Sequence, residues 1–415
     1  MSTKAAASSS HRGPVRRFEG HKESVSSISI FPDLTRIVTG SFDKTIRIWR
    51  LEDGKELVKW VVDKAVGGVA VLQNGVHVVS AEGDVTFASS ADWHLWVRDA
   101  ETRAVVAGPL GGHNNMVADL ELSPDGRILA SSSTGDGMVI LWDTSTWKMD
   151  GDPLSCGVPV HGVQFSPSGC VGVATNQGIK IWDLTRKERH QIAQLRVKGH
   201  ANPVSGSLAW TQDGTRLFST GDQNDPVIRS WDASTWKQAG DPWTGHDDRE
   251  DIRQIVLHPT NTLLASISDD LTIRLWMLST GTEVARYEYE DMVLRIAFSG
   301  DGRSLFGCGM DGVISQWNIP GAVLAAARSD PLAVQLKTQV TPPNCYFISC
   351  TSSRTPIPGS FPGQTKSAYY CLVFDIESNS LPRITVAFPT YVVLWSRRCC
   401  YSQALLVTDS WSTPQ

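Results

Sequence analysis

From Val25 to Trp317 the chain is written in short apolar runs separated by clusters of Pro, Asp, Asn and Gly. Val25 to Phe31 and Leu120 to Leu122 alternate in part between apolar and polar positions. Arg36-Ile37-Val38-Thr39 and Ile128-Leu129-Ala130 follow the first turn of their groups. Thr45-Ile46-Arg47-Ile48-Trp49 and Val139-Ile140-Leu141-Trp142 are rich in β-branched residues and end on Trp. Such runs predict strands, because branched and aromatic side chains fit a pleated, half-buried surface. A polar turn such as Leu51-Glu52-Asp53-Gly54 comes next, then a predicted fourth strand. No long helical period is evident.

The turns count the groups. Phe31-Pro32-Asp33, Leu72-Gln73-Asn74-Gly75, Ser123-Pro124-Asp125-Gly126, Ser166-Pro167-Ser168-Gly169, Gln212-Asp213-Gly214, His258-Pro259-Thr260-Asn261 and Ser299-Gly300-Asp301-Gly302 each follow an apolar run. Pro presets φ, Asp and Asn bond the local backbone, and Gly accepts positive φ. Aligned at residues 32, 73, 124, 167, 212, 259 and 300, the turns lie 41 to 51 residues apart. Four strands at that period describe one blade of a β-propeller, seven times over.

A second register agrees. Asp43 stands six residues before Trp49, and the spacing returns as Asp136/Trp142, Asn176/Trp182, Asp225/Trp231, Asp270/Trp276 and Asp311/Trp317. A degraded copy has Asp92 and Arg98. Gly20-His21, Gly112-His113, Gly199-His200 and Gly245-His246 stand at the front of their repeats, and Trp142-Asp143, Trp182-Asp183 and Trp231-Asp232 at the back. In these residues the chain resembles the WD40 repeat family over residues 14–324. The near-identical runs Ser145-Thr146-Trp147-Lys148 and Ser234-Thr235-Trp236-Lys237 suggest internal duplication, and their wording is similar to fungal WD40 arrays.

The resemblance implies an all-β, seven-bladed propeller in which the N-terminal strand completes the last blade. Closure removes open sheet edges that would otherwise pair with other chains. Val15 to Glu19 should therefore pair with the Val313 to Trp317 strand. Residues 1–13 read as a disordered arm, and its composition also allows a transit peptide. Residues 325–415 read as an irregular, largely disordered tail, or as translated non-coding sequence.

Composition changes this picture little. Net charge is −5 over 415 residues, with 41% hydrophobic and 20% charged residues, so no global basic field points to nucleic acid. The tail carries seven Lys and Arg against four Asp and Glu. Its run Ile384 to Trp395 is too short for a bilayer span, which needs about 20 residues. Cys156, Cys170 and Cys308 are scattered through the repeats, while Cys345, Cys350, Cys371, Cys399 and Cys400 crowd the tail. The absence of C-x-x-C argues against zinc, and reduced thiols and missing glycosylation sequons suit an intracellular chain, cytoplasmic or nuclear.

His113, Ser132 and Asp136, or His246, Ser266 and Asp270, have the residue types of a hydrolase triad. A triad occurs once and needs an exposed nucleophile and an oxyanion site. The resemblance implies structural tetrads instead: His21, Thr39, Asp43 and Trp49; His113, Ser132, Asp136 and Trp142; His246, Ser266, Asp270 and Trp276. Asp would hold His, His the hydroxyl, and the hydroxyl the Trp N–H. Three blades depart from the pattern. Blade 2 has Ala88 and Arg98, blade 4 has Gly172 and Asn176, and blade 7 has Tyr289 and Gly307. An expanded turn in blade 5 puts Thr220 at the hydroxyl place. Blades 1, 3 and 6 should be the best tied, so Asp43→Ala should destabilise more than Asp92→Ala. The Gly-His histidines sit on different blades and cannot converge on a metal. No phosphate-binding Gly-rich motif occurs, and no cofactor is expected. An enzyme on this frame would need a polar channel site with perturbed carboxylates or a metal, and the pattern shows none.

The resemblance also marks rim positions that contact partners: Ser24 and Phe42 in blade 1, Asp251, Arg253 and Asp269 in blade 6, and Met292, Leu294 and Met310 in blade 7. Blades 7 and 1 would be neighbours, giving an apolar patch beside the acids Asp247, Asp248, Glu250, Glu288, Glu290 and Asp291. Such a surface suits a protein or peptide partner, and a basic one best. The expected function is a non-catalytic scaffold, a monomer or a member of a larger complex. The alternative is the substrate-recognition subunit of a ubiquitin ligase or a chromatin-modifying complex. Neither nucleic acid nor a membrane span is expected.

Overall fold

The computed structural model describes residues 13–84, 93–185, 189–196, 206–247 and 249–330. They form seven four-stranded antiparallel sheets. Blade 1 runs Val25–Ile30, Arg36–Ser41, Thr45–Arg50 and Glu56–Val61 from the inside outwards, and blades 2 to 6 repeat that order. Blade 7 takes Val293–Phe298, Ser304–Gly309 and Ile314–Asn318 and receives Arg16–Phe18 as its outer strand. Arg16 lies opposite Gln316 and Phe18 opposite Ile314, which closes the ring as expected.

Apolar faces explain the stacking of blades. Phe18, Val25, Ile37, Trp49, Phe306, Cys308 and Ile314 form one cluster across the seam. Phe18 meets Trp49 and Phe306 edge-on, with ring centroids 6.0 and 6.1 Å away. Equivalent clusters join blade 2 to 3, 3 to 4, 4 to 5 and 6 to 7.

The inner strands carry a second, polar joint. In six blades the pairing of first and second strand skips a register near its start, after Val25, Val66, Val117, Val160, Ile252 and Val293. Such bulges re-aim the side chains beside them. From the position just past the bulge, Ser27 accepts the Val69 amide, Asp119 the Val163 amide and Gln254 the Ile296 amide, at 3.0, 3.2 and 2.7 Å. Ser207 accepts the Ile255 amide in the same way. Each bond crosses from one blade to the next and satisfies a backbone group that a free inner edge would strand.

The ordered chain does not stop at residue 324. Pro320 opens a helix, Gly321–Arg328, whose Val323 and Ala327 pack on Leu263 and Met277 of blade 6. The expected boundary therefore cuts through an element that apolar contact holds to the propeller. Residues 1–12 and 331–415, on which the arm and the remainder of the tail were placed, lie outside the described residues.

Candidate functional site

In blades 1, 3 and 6 the polar residues form a relay from the turn to the sheet interior. In blade 1, Asp43 sits 3.1 Å from His21 Nδ1, His21 Nε2 sits 2.9 Å from Thr39 Oγ1, and Trp49 Nε1 donates to the same hydroxyl at 2.9 Å. Blade 6 repeats this through Asp270, His246, Ser266 and Trp276 at 2.7 to 2.8 Å. Indole N–H can only donate, so the hydroxyl accepts from Trp, donates to Nε2, and leaves the Nδ1 proton for the carboxylate. The hydroxyls of Thr39 and Ser266 are fully buried, which leaves them no access to a substrate.

Electrostatics agree with a neutral imidazole. Burial pushes the His21 ring down to about 4 against the pull of Asp43, and burial also lowers His246. Burial works to raise Asp43, Asp136 and Asp270, but hydrogen bonds from the turn and the facing His hold each below the usual carboxylate range.

Blade 3 corrects the expected tetrad. Ser131, not Ser132, lies 2.8 Å from His113 Nε2 and accepts Trp142 Nε1–H at 2.9 Å. Successive strand side chains point to opposite faces, so a count that is off by one selects the wrong face. The turn before Asp136 holds one residue more than the turn before Asp43, and counting back from Asp therefore fails. Sheet register gives the right rule: the hydroxyl lies two residues past the residue opposite Trp. Ile37 opposite Trp49 selects Thr39, and Leu129 opposite Trp142 selects Ser131. Leu217 opposite Trp231 selects Ser219, which accepts the Trp231 N–H at 2.9 Å where Thr220 was expected.

Register also identifies Ser80, rather than Ala88, as the blade 2 counterpart, because Val78 lies opposite Arg98. Arg98 stands at the Trp place, donates to Ser80 at 2.7 Å and pairs with buried Glu82. Trp93 fills the space left there, and a Cβ on Gly83 would come within 2.3 Å of its ring. In blade 4 Val173, not Gly172, holds the hydroxyl place, and Trp182 Nε1 is buried without a partner. In blade 7 Tyr289 replaces His and donates to Asp311 at 3.0 Å, while Gly307 leaves Trp317 Nε1 unpartnered. Ala88, Asp92, His200 and Asp248 lie outside the described residues.

Sequence reasoning missed three buried arginines, of which Arg229 pairs with Asp225 in blade 5. Arg274 reaches Asp270, Glu283 and the Gly245 carbonyl, and Arg47 reaches Glu56 from the same place in blade 1. Their signal was present as Thr-Ile-Arg-Ile-Trp in blade 1 and Thr-Ile-Arg-Leu-Trp in blade 6.

The rim residues fall into two groups. The Phe42 amide donates to the Ser24 carbonyl, and the Met310 amide to the Met292 carbonyl, both at 3.1 Å. These pairs stand at strand ends of blades 1 and 7, whose inner strands pack together. Met310 is 51% exposed, and Ser24, Phe42, Met292 and Leu294 are half-buried. The blade 6 trio is held internally instead. Asp251 is buried and accepts the Gln223 amide at 2.6 Å, and Arg253 is ion-paired with Asp269.

The channel at the centre of the ring also differs from expectation, since it is polar and holds perturbed carboxylates. A cavity of about 290 Å³ is lined by Asp119, Glu121, His161, Gln164, Gln254 and Arg295, among others. Burial pushes the Glu121 carboxyl up to about 8, with Asp119 adding repulsion, and burial also raises Asp119. Arg295 reaches across to the Ala118 carbonyl at 2.9 Å. These residues come from four blades, so only ring closure assembles them. Their trace in the sequence is Asp119-Leu120-Glu121, His161-Gly162-Val163-Gln164, Arg253-Gln254 and Arg295, large polar residues where the inner strands of blades 1 and 2 are apolar or small.

Comparison with known proteins fits this geometry. The family described as "WD domain, G-beta repeat" matches residues 12–50, 105–143, 191–232, 240–277 and 281–318. The unmatched stretches hold most of blades 2 and 4, two blades without the His. The chain is 30% identical over 264 residues to a protein of Candida albicans named "Small ribosomal subunit protein RACK1", covering 54% of this chain and 81% of the relative. The protein of that name from Caenorhabditis elegans is 28% identical over 270 residues, covering 53% and 80%. The one from Glycine max is 35% identical over 144 residues, covering 31% and 43%.

Proposed function

The chain belongs to the WD40 family, and from that premise we propose that it is a non-catalytic scaffold binding a protein partner at the edge shared by blades 7 and 1. The observation that carries this reading is the pairing of Ser24 with Phe42 and of Met292 with Met310 at adjacent strand ends, with Met310 half exposed. Methionine packs against varied surfaces, and a small apolar centre with a polar rim is the anatomy of a docking site. Exposed Asp247, Glu250 and Asp291 supply an acidic rim, which favours a partner with basic residues. Asp251, Arg253 and Asp269 are engaged internally and shape the rim rather than contact the partner.

Burial of the tetrad hydroxyls supports a non-catalytic role. Relatives named as small ribosomal subunit proteins favour a scaffold over a ligase or chromatin subunit, and a cytoplasmic over a nuclear setting. The test is affinity capture of the tagged full chain with mass spectrometry, alongside co-sedimentation with small ribosomal subunits. Met292→Asp and Met310→Asp should each lose the captured partners while melting as the parent does. Unchanged recovery by both variants would remove this edge as the docking site.

A further inference from the structure

We propose that the central channel is a binding site for one organic cation, an alkylammonium or alkylguanidinium head group, with Glu121 as its counter-charge and Gln164 and His161 as further acceptors. The argument begins with charge. Among the described residues, the inner strands of blades 1, 2 and 5 bring no ionisable side chain to the channel. Blade 3 brings Asp119 and Glu121, blade 4 His161, blade 6 Arg253 and blade 7 Arg295. Arg253 is matched by Asp269, and Arg295 acts on Asp119. Among the described residues, those acting on Glu121 are Asp119, which repels its charge, and Gln164, which hydrogen-bonds it. The wall therefore holds one carboxyl in excess.

Polar accounting points the same way. Asp119 is partly explained by the fold, because it holds the Val163 amide at the blade joint. Gln254 serves the joint between blades 6 and 7 in the same manner. Among the described residues, Glu121 and Gln164 hold no backbone amide of a neighbouring blade; the Gln164 side chain hydrogen-bonds Glu121 and leaves its own oxygen over. Gln164 Oε1 and His161 Nε2 are buried without hydrogen-bond partners. Burial keeps His161 neutral, so its free nitrogen can accept. Buried acceptors without donors cost free energy until a donor arrives. A cation with two or more N–H groups supplies donors and charge together. The cavity, about 290 Å³, exceeds what a single water or bare ion fills.

Such a head group has two sources, a free small amine or the Lys or Arg side chain of a protein. The two are separated by probe. Full-length protein is titrated calorimetrically with n-butylammonium and ethylguanidinium chloride, and with blocked Gly-Lys-Gly and Gly-Arg-Gly peptides, against potassium chloride at constant ionic strength. The empty site holds Glu121 protonated near neutrality, so binding must release a proton and strengthen with pH. The expected result is saturable one-to-one binding, about tenfold tighter at pH 7 than at pH 6. Glu121→Gln, which keeps shape and removes charge, should abolish it while melting normally, and Gln164→Leu should weaken it. Binding by the peptides assigns the source to a protein side chain; binding by the simple cations alone assigns it to a free amine. No saturable binding by any probe, or undiminished binding by Glu121→Gln, would overturn the proposal.

Discussion

Ser131 and Ser132 are adjacent, both fully buried and both in the second strand of blade 3, yet their alanine substitutions should differ by several kcal/mol. Ser131 Oγ is the only link between Trp142 Nε1 at 2.9 Å and His113 Nε2 at 2.8 Å. Ser131→Ala strands both groups, and Trp142 and His113 are themselves 2% and 4% exposed, so water cannot replace the hydroxyl. A buried unsatisfied group costs about 1–3 kcal/mol, which puts the sum at about 2–4 kcal/mol after some relaxation. The Ser132 hydroxyl is buried with no partner. Its removal relieves a desolvated group and should be neutral or stabilising by up to about 1 kcal/mol. For a domain of about 320 residues, 1 kcal/mol moves Tm by roughly 1.5 °C. Ser131→Ala should therefore melt about 3–6 °C lower, with Ser132→Ala at or slightly above the parent. Urea unfolding followed by Trp fluorescence gives a second reading. Equal losses in the two variants, or a larger loss in Ser132→Ala, would refute the register argument.

Asp270→Ala should cost about 3–5 kcal/mol, because buried Arg274 loses a carboxylate and His246 and Thr272 lose their acceptor. Asp311→Ala, which frees only Tyr289 and the Val313 amide, should cost about 1–2 kcal/mol by the same urea titration. Glu82→Ala should destabilise by about 3 kcal/mol through an unpaired Arg98, whereas Glu82→Leu with Arg98→Met should recover most of that; failure to recover would show that the pair is not simply a buried charge balance. Phe18→Ala should cost about 3–5 kcal/mol and loosen the seam first, seen as early hydrogen exchange at the amides of Arg16 to Phe18. Two pH windows are expected. His21 and His246 are held below their unfolded values, so their contribution is present above about 6.5 and is lost as pH falls, for His21 through about 4. Glu121 is held above its unfolded value, so its contribution is complete below about 4.5 and lost as pH rises through about 8. Glu121→Gln should remove the fall in stability between about pH 4.5 and 8, which flattens the melting profile above pH 6.5 and steepens the rise the histidines produce below it.

The candidate site was legible in part. His21, Thr39, Asp43 and Trp49 could be assigned because the blade 1 turn has the commonest length, and blade 6 shares it. Blades 3 and 5 could not, since one or more added turn residues move the hydroxyl relative to Asp without moving it relative to Trp. Blade 2 was opaque because Arg98 with Glu82 replaces Trp with His, a different chemistry meeting the same need for satisfied buried groups. Asp251, Arg253 and Asp269 looked like free rim groups because nothing local shows that Gln223 and Arg253 engage the two acids.

Period and strand count follow from local chemistry, since turn residues set the breaks and β-branched runs set the strands, while closure by Arg16 to Phe18 was an expectation of the family resemblance that the pairing with Ile314 to Gln316 bears out. Period and strand count were determined by the sequence alone, because each depends on neighbours along the chain or on a repeated spacing. Which face a side chain takes, and which residues meet across the channel, depend on register and on contacts between blades. Asp119 and Arg295 stand 176 positions apart, and Glu121 acquires its raised carboxyl only inside the closed ring. Tertiary structure decided these, since burial and charge balance are properties of an enclosed volume rather than of a strand.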